Sequence, residues 1–126
     1  MPLSRAARDL MLRHCLHDHG SKYLLHAAVV MPEHVHLLLS PLRDAAGDVF
    51  PLQQILQSIK GASAHSINNA SGRQGPVWEE ESFDHLLRSY ESLEEKFEYI
   101  RQNPVRRKLV RRPEDYRWLW VAPRII

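Results

Sequence analysis

The sequence predicts an α+β fold in which one layer of helices packs on a small antiparallel sheet. Three segments carry hydrophobic residues at helical spacing, and two apolar segments flank a Pro-Glu pair typical of a tight turn. A chain of 126 residues is long enough for one core, so residues 1–126 are expected to form a single domain. With 44% hydrophobic and 25% charged residues, the composition excludes a disordered or fibrous chain.

The N-terminal half is predicted to be a helix followed by a hairpin. Ser4 suits an N-cap, and Gly20 suits the stop of this first helix. One face of the helix is expected to be buried, and it comprises Ala7, Leu10, Met11, His14 and Cys15. Strands are predicted at Tyr23–Met31 and His34–Ser40, joined by a turn at Pro32–Glu33.

The C-terminal half is predicted to contain two more helices and an extended segment between them. Pro51 suits the first turn of the second helix, and Val77–Leu87 is expected to be extended. Ser89 or Ser92 is the expected cap of the third helix. That helix is expected to stop near Asn103, because a proline follows.

Charge and cysteine content exclude several classes of protein. Cys15 is the single cysteine, so an internal disulfide framework and a Cys-rich zinc site are excluded. No apolar run reaches the roughly 18 residues of a membrane span, and no signal peptide is evident, so a cytoplasmic location is expected. The net charge of +2 is too small to indicate a polyanion partner. Residues 101–112, however, contain six bases and no acid. Such a run suits phosphate groups, although most charge runs are simply solvated surface.

Two histidines are the first chemical feature. Side chains at i and i+2 of a strand share a face, so His34 and His36 converge while Val35 enters the core. Two neutral imidazoles at this spacing can share a divalent metal ion. The alternative is a pair of solvated histidines. The apolar flanks favour the metal site, because a buried strand is a costly place for polar groups without partners.

The second feature is a tyrosine one helical turn before an asparagine. Tyr99 and Asn103 are i and i+4, so they share a helix face. A hydroxyl nucleophile would then lie beside an amide oxygen able to bind a metal. The alternative is that Tyr99 packs and Asn103 caps the helix end.

A series of short motifs extends over about residues 20–120. It comprises 31–39 (Met-Pro-Glu-His-Val-His-Leu-Leu-Leu), 60–61 (Lys-Gly), 75–78 (Gly-Pro-Val-Trp), 83–85 (Phe-Asp-His), 99–100 with 103–105 (Tyr-Ile, Asn-Pro-Val), and 113–118 (Pro-Glu-Asp-Tyr-Arg-Trp). This ordered series resembles the single-tyrosine HUH transposases, and within them the REP-associated tyrosine transposases.

The resemblance implies a ferredoxin-like fold, a metal-assisted reaction on single-stranded hairpin DNA, and a homodimer. Tyr99 would be the nucleophile that forms a 5′-phosphotyrosine intermediate. His34, His36 and Asn103 would bind Mg²⁺ or Mn²⁺. The candidate DNA contacts are Lys60, Arg73, Arg101, Arg106, Arg107 and Lys108.

The sequence departs from the family in two places. Glu33 stands where the family has asparagine. The family's first strand is expected to be missing, because the first helix starts almost at residue 1. Either the true start codon lies upstream or this copy has lost the strand, and the domain is expected to be N-terminally truncated relative to the family. The loss would expose the edge of His34–Ser40. Two further hypotheses follow: a catalytically inactive remnant that only binds hairpin DNA, and a nuclease in which water attacks.

Other polar and aromatic clusters are expected to be structural. His14, Cys15, His17 and His19 resemble a soft-metal site, but histidines near a helix C-terminus are explained by the helix dipole. Trp118 and Trp120 are able to stack on bases. Packing is the preferred interpretation of both.

Overall fold

A computed structural model describes residues 3–72, 74–75, 77, 83–87 and 93–123, and for 83–87 it describes the backbone alone. The predicted α+β class is confirmed. The elements, in chain order, are α1 (Arg5–His17), β1 (Tyr23–Val30), β2 (Val35–Pro41), α2 (Leu52–Ser71), β3 (Phe83–Leu87), α3 (Leu93–Arg106), a 3-10 turn (Pro113–Asp115) and β4 (Leu119–Val121). Among these helices, none combines the length and hydrophobicity needed to cross a bilayer.

The predicted hairpin is confirmed and forms the centre of the sheet. β1 and β2 pair antiparallel, and the Met31 amide donates to the His34 carbonyl at 2.7 Å across the tight turn. The sheet order is β3-β2-β1-β4, with β4 antiparallel to β1. The short strand β4 was not predicted, because three residues carry too little pattern to be recognised.

One strand breaks the predicted antiparallel pattern. β3 pairs with β2 in parallel, with Val35 opposite Phe83 and Leu39 opposite Leu87. Parallel neighbours need a long crossover, and the 20-residue helix α2 between the two strands supplies it. The expectation of an exposed β2 edge is therefore wrong: β3 occupies that edge. Of the extended segment predicted at Val77–Leu87, residues 78–82 lie outside the described residues.

Helices cover both faces of the sheet, so the predicted single layer is wrong. Residues 35–39 of β2 are all buried, which requires cover on both sides because successive side chains alternate. α3 packs on β1 and β2 through the face that carries His36, whereas α1 packs against α2 and β1. Two runs of three consecutive apolar residues, Ala28–Val30 and Leu37–Leu39, are completely inaccessible. A run without alternation is typical of a strand buried on both faces.

The first helix agrees with its prediction. The Ser4 hydroxyl accepts a hydrogen bond from the Ala7 amide at 3.1 Å, which is the expected N-cap. Ala7, Met11 and Cys15 are the buried residues of its predicted face. α1 ends at His17, and Gly20 adopts a φ of 91° in the turn that follows.

The third helix does not stop near Asn103, as the sequence predicted. It continues through Pro104 to Arg106. The Leu109 amide donates to the Pro104 carbonyl, and the Lys108 amide donates to the Val105 carbonyl, both at 2.9 Å. This pair of bonds is a Schellman motif, which satisfies the last carbonyls and makes the turn after the proline stable. The predicted caps Ser89 and Ser92 lie outside the described residues.

Lys108 occupies the left-handed position of this motif, with a φ of 61°. Glycine usually holds that position because it lacks the Cβ that makes it unfavourable. We therefore expect Lys108→Gly to raise the free energy of unfolding by about 1 kcal/mol in urea denaturation. Arg107→Gly is the matched control, because Arg107 has no positive φ and no strain to relieve. Equal effects of the two changes would contradict this account.

Candidate functional site

His34 and His36 lie at the start of β2, on the side of the sheet that α3 covers. Their ring centroids are 6.3 Å apart and the rings are nearly parallel, at 22°. His36 is buried, with 8% of its surface exposed, and His34 is half-buried. Val35 between them is completely buried. The predicted convergence of the two imidazoles on one face is confirmed.

Tyr99 reaches the same place from α3. Its ring centroid lies 6.0 Å from that of His36, and the rings meet edge to face at 80°. Nearly half of Tyr99, 48%, is exposed. A packing tyrosine would be buried, as Tyr23 and Tyr116 are. Tyr99 instead presents its ring beside a histidine while remaining accessible to a large ligand.

Asn103 lies one helical turn beyond Tyr99 and is 4% exposed. Its side-chain oxygen Oδ1 is buried and accepts no hydrogen bond from the described residues. An unsatisfied buried amide oxygen costs about 1–3 kcal/mol, so it needs an explanation. Because α3 continues past it, Asn103 is an interior helix residue, and the alternative role of capping the helix end is wrong. A carbonyl oxygen without a donor is a suitable ligand for a hard cation.

His34, His36 and Asn103 border one cavity of about 180 Å³, and Tyr99 contacts His36, one of its lining residues. Its lining comprises Met31, Pro32, Glu33, His34, His36, Asn103, Arg107 and Leu109. The tight turn supplies one wall, and the end of α3 with the Schellman motif supplies the other. Glu33, the residue that departs from the family pattern, is exposed at this cavity together with Arg107.

The basic residues predicted to contact DNA are not all at the site. Arg107 lines the cavity, and Arg106 lies over the Tyr99 ring with its guanidinium carbon 4.3 Å from the ring centroid. Lys108 follows at the end of the helix. Lys60 lies in α2, which packs with α1, and it is not among the residues that line the cavity. Arg73 lies outside the described residues.

Arg101 is engaged with acids. Its Nε donates to Glu98 at 2.7 Å, and its Nη1 lies 3.8 Å from Glu114. The hydrogen bond to Glu98 is the main reason that the pKa of Arg101 is raised. A guanidinium that is already paired with two carboxylates is a weaker candidate for phosphate binding than Arg106 or Arg107.

The histidines and cysteine of α1 do not form a metal site. His14 Nε2 hydrogen bonds with the Ser66 hydroxyl at 2.8 Å, and His19 Nδ1 accepts from the Leu25 amide at 2.8 Å. Cys15 is completely buried, and burial raises the pKa of its thiol to about 12. Over the described ranges, no three His, Cys, Asp or Glu side chains are grouped as metal ligands. The donor set at the cavity is two imidazoles and an amide.

Sequence reasoning missed two arrangements. One is the contact of Arg106 with Tyr99, for which the i, i+7 spacing on one helix was an available signal. The other is a group of arginines around Trp118, which is brought to α1 from the far end of the chain and has no sequence signal. Trp118 itself is 5% exposed, so its predicted packing role is confirmed.

Comparisons of this chain with protein-family models, curated proteins and solved structures gave no match. The case for a function therefore depends on the geometry of the cavity and on the motifs of the sequence.

Proposed function

We propose that this protein is a transposase-like enzyme that cleaves and rejoins single-stranded, hairpin-flanked DNA, with Tyr99 as the nucleophile. The observation that carries the proposal is convergence at one cavity. A hairpin supplies His34 and His36 to the cavity lining, and a helix far along the chain supplies Asn103 to the same lining and Tyr99 against the His36 ring. Structural packing alone gives no reason for an exposed tyrosine beside a buried histidine.

The residues at the cavity fit a divalent cation. The buried Asn103 oxygen has no donor among the described residues, and two imidazoles border the same space. His34, His36 and Asn103 would hold Mg²⁺ or Mn²⁺. The ion, when bound, polarises a phosphoryl oxygen and offsets the charge that develops on it.

Tyr99 performs the bond exchange in this proposal. The phenolic oxygen forms a bond to phosphorus as it loses its proton, and the bond from phosphorus to the 3′ oxygen breaks. The 3′ oxygen takes up a proton and leaves as a hydroxyl, while the 5′ phosphate remains on Tyr99. The phosphodiester energy is retained in this link, so a second 3′-hydroxyl can attack and complete strand transfer.

Arg106 is assigned a different role from the general DNA contact expected of it. Its guanidinium lies over the Tyr99 ring and also donates to the Tyr99 carbonyl at 2.8 Å. Two contacts to one residue fix the ring, so Arg106 is a positioning residue and Arg107 is the phosphate contact at the cavity.

The resemblance also supports a ferredoxin-like relationship and a homodimer, and both belong to the proposal. In that fold the His-bearing strand is central. Here β3 lies beside β2 in parallel and makes it an inner strand of the sheet. The β1–β2 hairpin then corresponds to the part of the ferredoxin-like fold that carries the two histidines.

The proposed chemistry is tested by trapping the covalent intermediate. We expect the wild-type protein, with end-labelled single-stranded hairpin DNA and Mn²⁺, to give a slow-migrating, protease-sensitive adduct on a denaturing gel. Tyr99→Phe should abolish the adduct and leave the DNA shift on a native gel unchanged. Tyr23→Phe is the matched control, because that buried hydroxyl donates to the Cys15 carbonyl and lies away from the cavity.

Each other outcome of this experiment has a definite meaning. Cleavage by Tyr99→Phe would contradict the tyrosine mechanism and favour a nuclease in which water attacks. A native-gel shift without any adduct from the folded wild type would favour a protein that binds hairpin DNA without cutting it.

Metal binding has a readout that does not depend on activity. We expect Mn²⁺ at about 100 times its dissociation constant to stabilise the wild type by about 2.7 kcal/mol, measured by thermal melting. Asn103→Leu should not lower the melting temperature in the absence of metal, because it removes a buried amide oxygen that lacks a donor among the described residues. The variant should lose most of the stabilisation by Mn²⁺. Asn69→Leu, on the exposed surface of α2, is the control. An undiminished Mn²⁺ effect in Asn103→Leu would remove Asn103 from the ligand set.

The positioning role of Arg106 can be tested separately from its positive charge. Arg106→Lys keeps the charge but not the planar, forked donor, so we expect single-turnover adduct formation to slow by about tenfold to a hundredfold. The dissociation constant for DNA should change little. Arg107→Gln should show the opposite pattern, with weaker DNA binding and an unchanged rate at saturating DNA. A normal rate in Arg106→Lys would contradict the positioning role.

A further inference from the structure

A group of arginines surrounds Trp118 on the outer side of α1. The Trp118 ring centroid lies 4.0 Å from the guanidinium carbon of Arg8, 5.2 Å from that of Arg5 and 5.8 Å from that of Arg117. Arg13 lies one helical turn beyond Asp9 on the same helix. We call Arg5, Arg8, Arg13 and Arg117 the α1 basic patch.

One acid, Asp9, faces this patch, and its carboxylate oxygens already accept hydrogen bonds. Asp9 accepts from Arg117 Nε and Nη2 at 3.0 and 3.1 Å, and from Trp118 Nε1 at 2.7 Å. These bonds to Arg117 and Trp118, more than the nearby charge of Arg13, hold the pKa of Asp9 below its ordinary value. Arg5, Arg8 and Arg13 form no ion pair with any other described residue. Within the described residues, the patch therefore carries a surplus of positive charge that no acid neutralises.

The position of these positive charges at the N-terminus of α1 is unfavourable for the stability of the helix. Arg5 is the first residue of α1 and Arg8 is the fourth, and the first turn contains no acid. Cations near a helix N-terminus are unfavourable, because the helix dipole is positive there. A sequence optimised for stability alone would place acids at these positions, and a departure of this kind is typical of a functional surface.

The patch lies next to the cavity. The Leu3 amide donates to the Pro32 carbonyl at 2.6 Å, which joins the start of α1 to the tight turn. The Tyr116 hydroxyl donates to the Val30 carbonyl at 2.7 Å and also interacts with Arg8. Because Met31 and Pro32 line the cavity, these bonds connect the start of α1 and the Arg8 partner Tyr116 to the segment that borders the cavity.

We propose that the α1 basic patch binds the phosphate groups of the same single strand that enters the cavity, so that the strand crosses the turn onto α1. The proposal rests on the proposed function, because it extends the path of that substrate. The chemistry suits a phosphate backbone. Arg5 lies over the indole and forms no hydrogen bond or ion pair with another described residue, so its guanidinium donors can meet phosphate oxygens.

The test measures binding without cleavage. The dissociation constant of fluorescein-labelled oligothymidylate of twenty nucleotides is measured in EDTA over a range of KCl concentrations. Each phosphate contact on a single strand contributes about 0.7 to the slope of log affinity against log salt, or about fivefold in affinity at 0.1 M relative to 1 M salt. We expect Arg5→Gln to lose one such contact and Arg5→Gln with Arg13→Gln to lose two. Arg43→Gln, in the loop at the far end of β2, is the matched control.

Stability provides the second measurement. Arg5→Gln should leave the melting temperature unchanged or raise it, and Arg5→Glu should raise it further while weakening binding more. Lower stability together with unchanged binding would assign Arg5 to packing on Trp118 and overturn the proposal. An unchanged salt slope in the folded double variant would overturn it as well.

The result of this binding test can be distinguished from the result of the adduct test of the proposed function. A smaller slope of log affinity against log salt in the patch variants, with a covalent adduct still formed at saturating hairpin DNA, supports both proposals. Loss of slope with no adduct even in the wild type supports the patch as a strand-binding surface and contradicts the enzyme. An unchanged slope with a normal Tyr99 adduct retains the enzyme and moves the strand elsewhere.

Discussion

The candidate site depends on the register of one hairpin. The tight turn at Pro32–Glu33 pairs Val30 with Val35 and Val29 with His36, and this pairing places both histidines on the α3 side of the sheet. Because side chains alternate along a strand, a slip of one residue would turn His36 to the opposite face and bring Val35 to the cavity. Both faces of the strand are buried, so such a slip would place imidazoles in the apolar layer at a large cost in free energy. The hydrophobic core thus enforces the geometry of the polar cavity.

A second constraint operates at the end of α3, where Pro104 lies inside the helix. Proline in a helix removes one backbone hydrogen bond and is usually unfavourable. Here the loss falls in the last turn, and the Schellman bonds from Lys108 and Leu109 close that turn. The continuation of the helix through Pro104 determines where Asn103 and Arg106 lie. If the helix stopped before the proline, Asn103 would be a solvated cap residue; because the helix continues, its amide is buried at the cavity and Arg106 is one further turn along, above Tyr99.

The sequence predicted local features well and non-local ones poorly. The hairpin, its turn, the Ser4 cap and the shared face of the two histidines follow from periodicity and short-range chemistry, and the structure confirms them. The parallel pairing of β3 was missed, although a 20-residue helix between two strands is itself a signal of a crossover. The continuation through Pro104 was missed because the closing bonds come from residues beyond the helix. The contacts of Trp118 with Arg5 and Arg8 join opposite ends of the chain, and no local pattern encodes them.

Three departures from stability rules occur around this one cavity. Asn103 buries an amide oxygen without a donor in the described structure, Lys108 adopts a left-handed backbone that favours glycine, and Arg5 begins a helix where an acid is preferred. The described chain also has a capped first helix, a tight hairpin and an apolar core. Local costs are tolerated where a ligand repays them, because binding adds free energy that the unliganded fold lacks. A cation would satisfy the Asn103 oxygen, and a phosphate chain would neutralise the arginines. The costs at Asn103 and Arg5 therefore lie where the two proposed ligands would bind, which favours one continuous binding surface over unrelated irregularities.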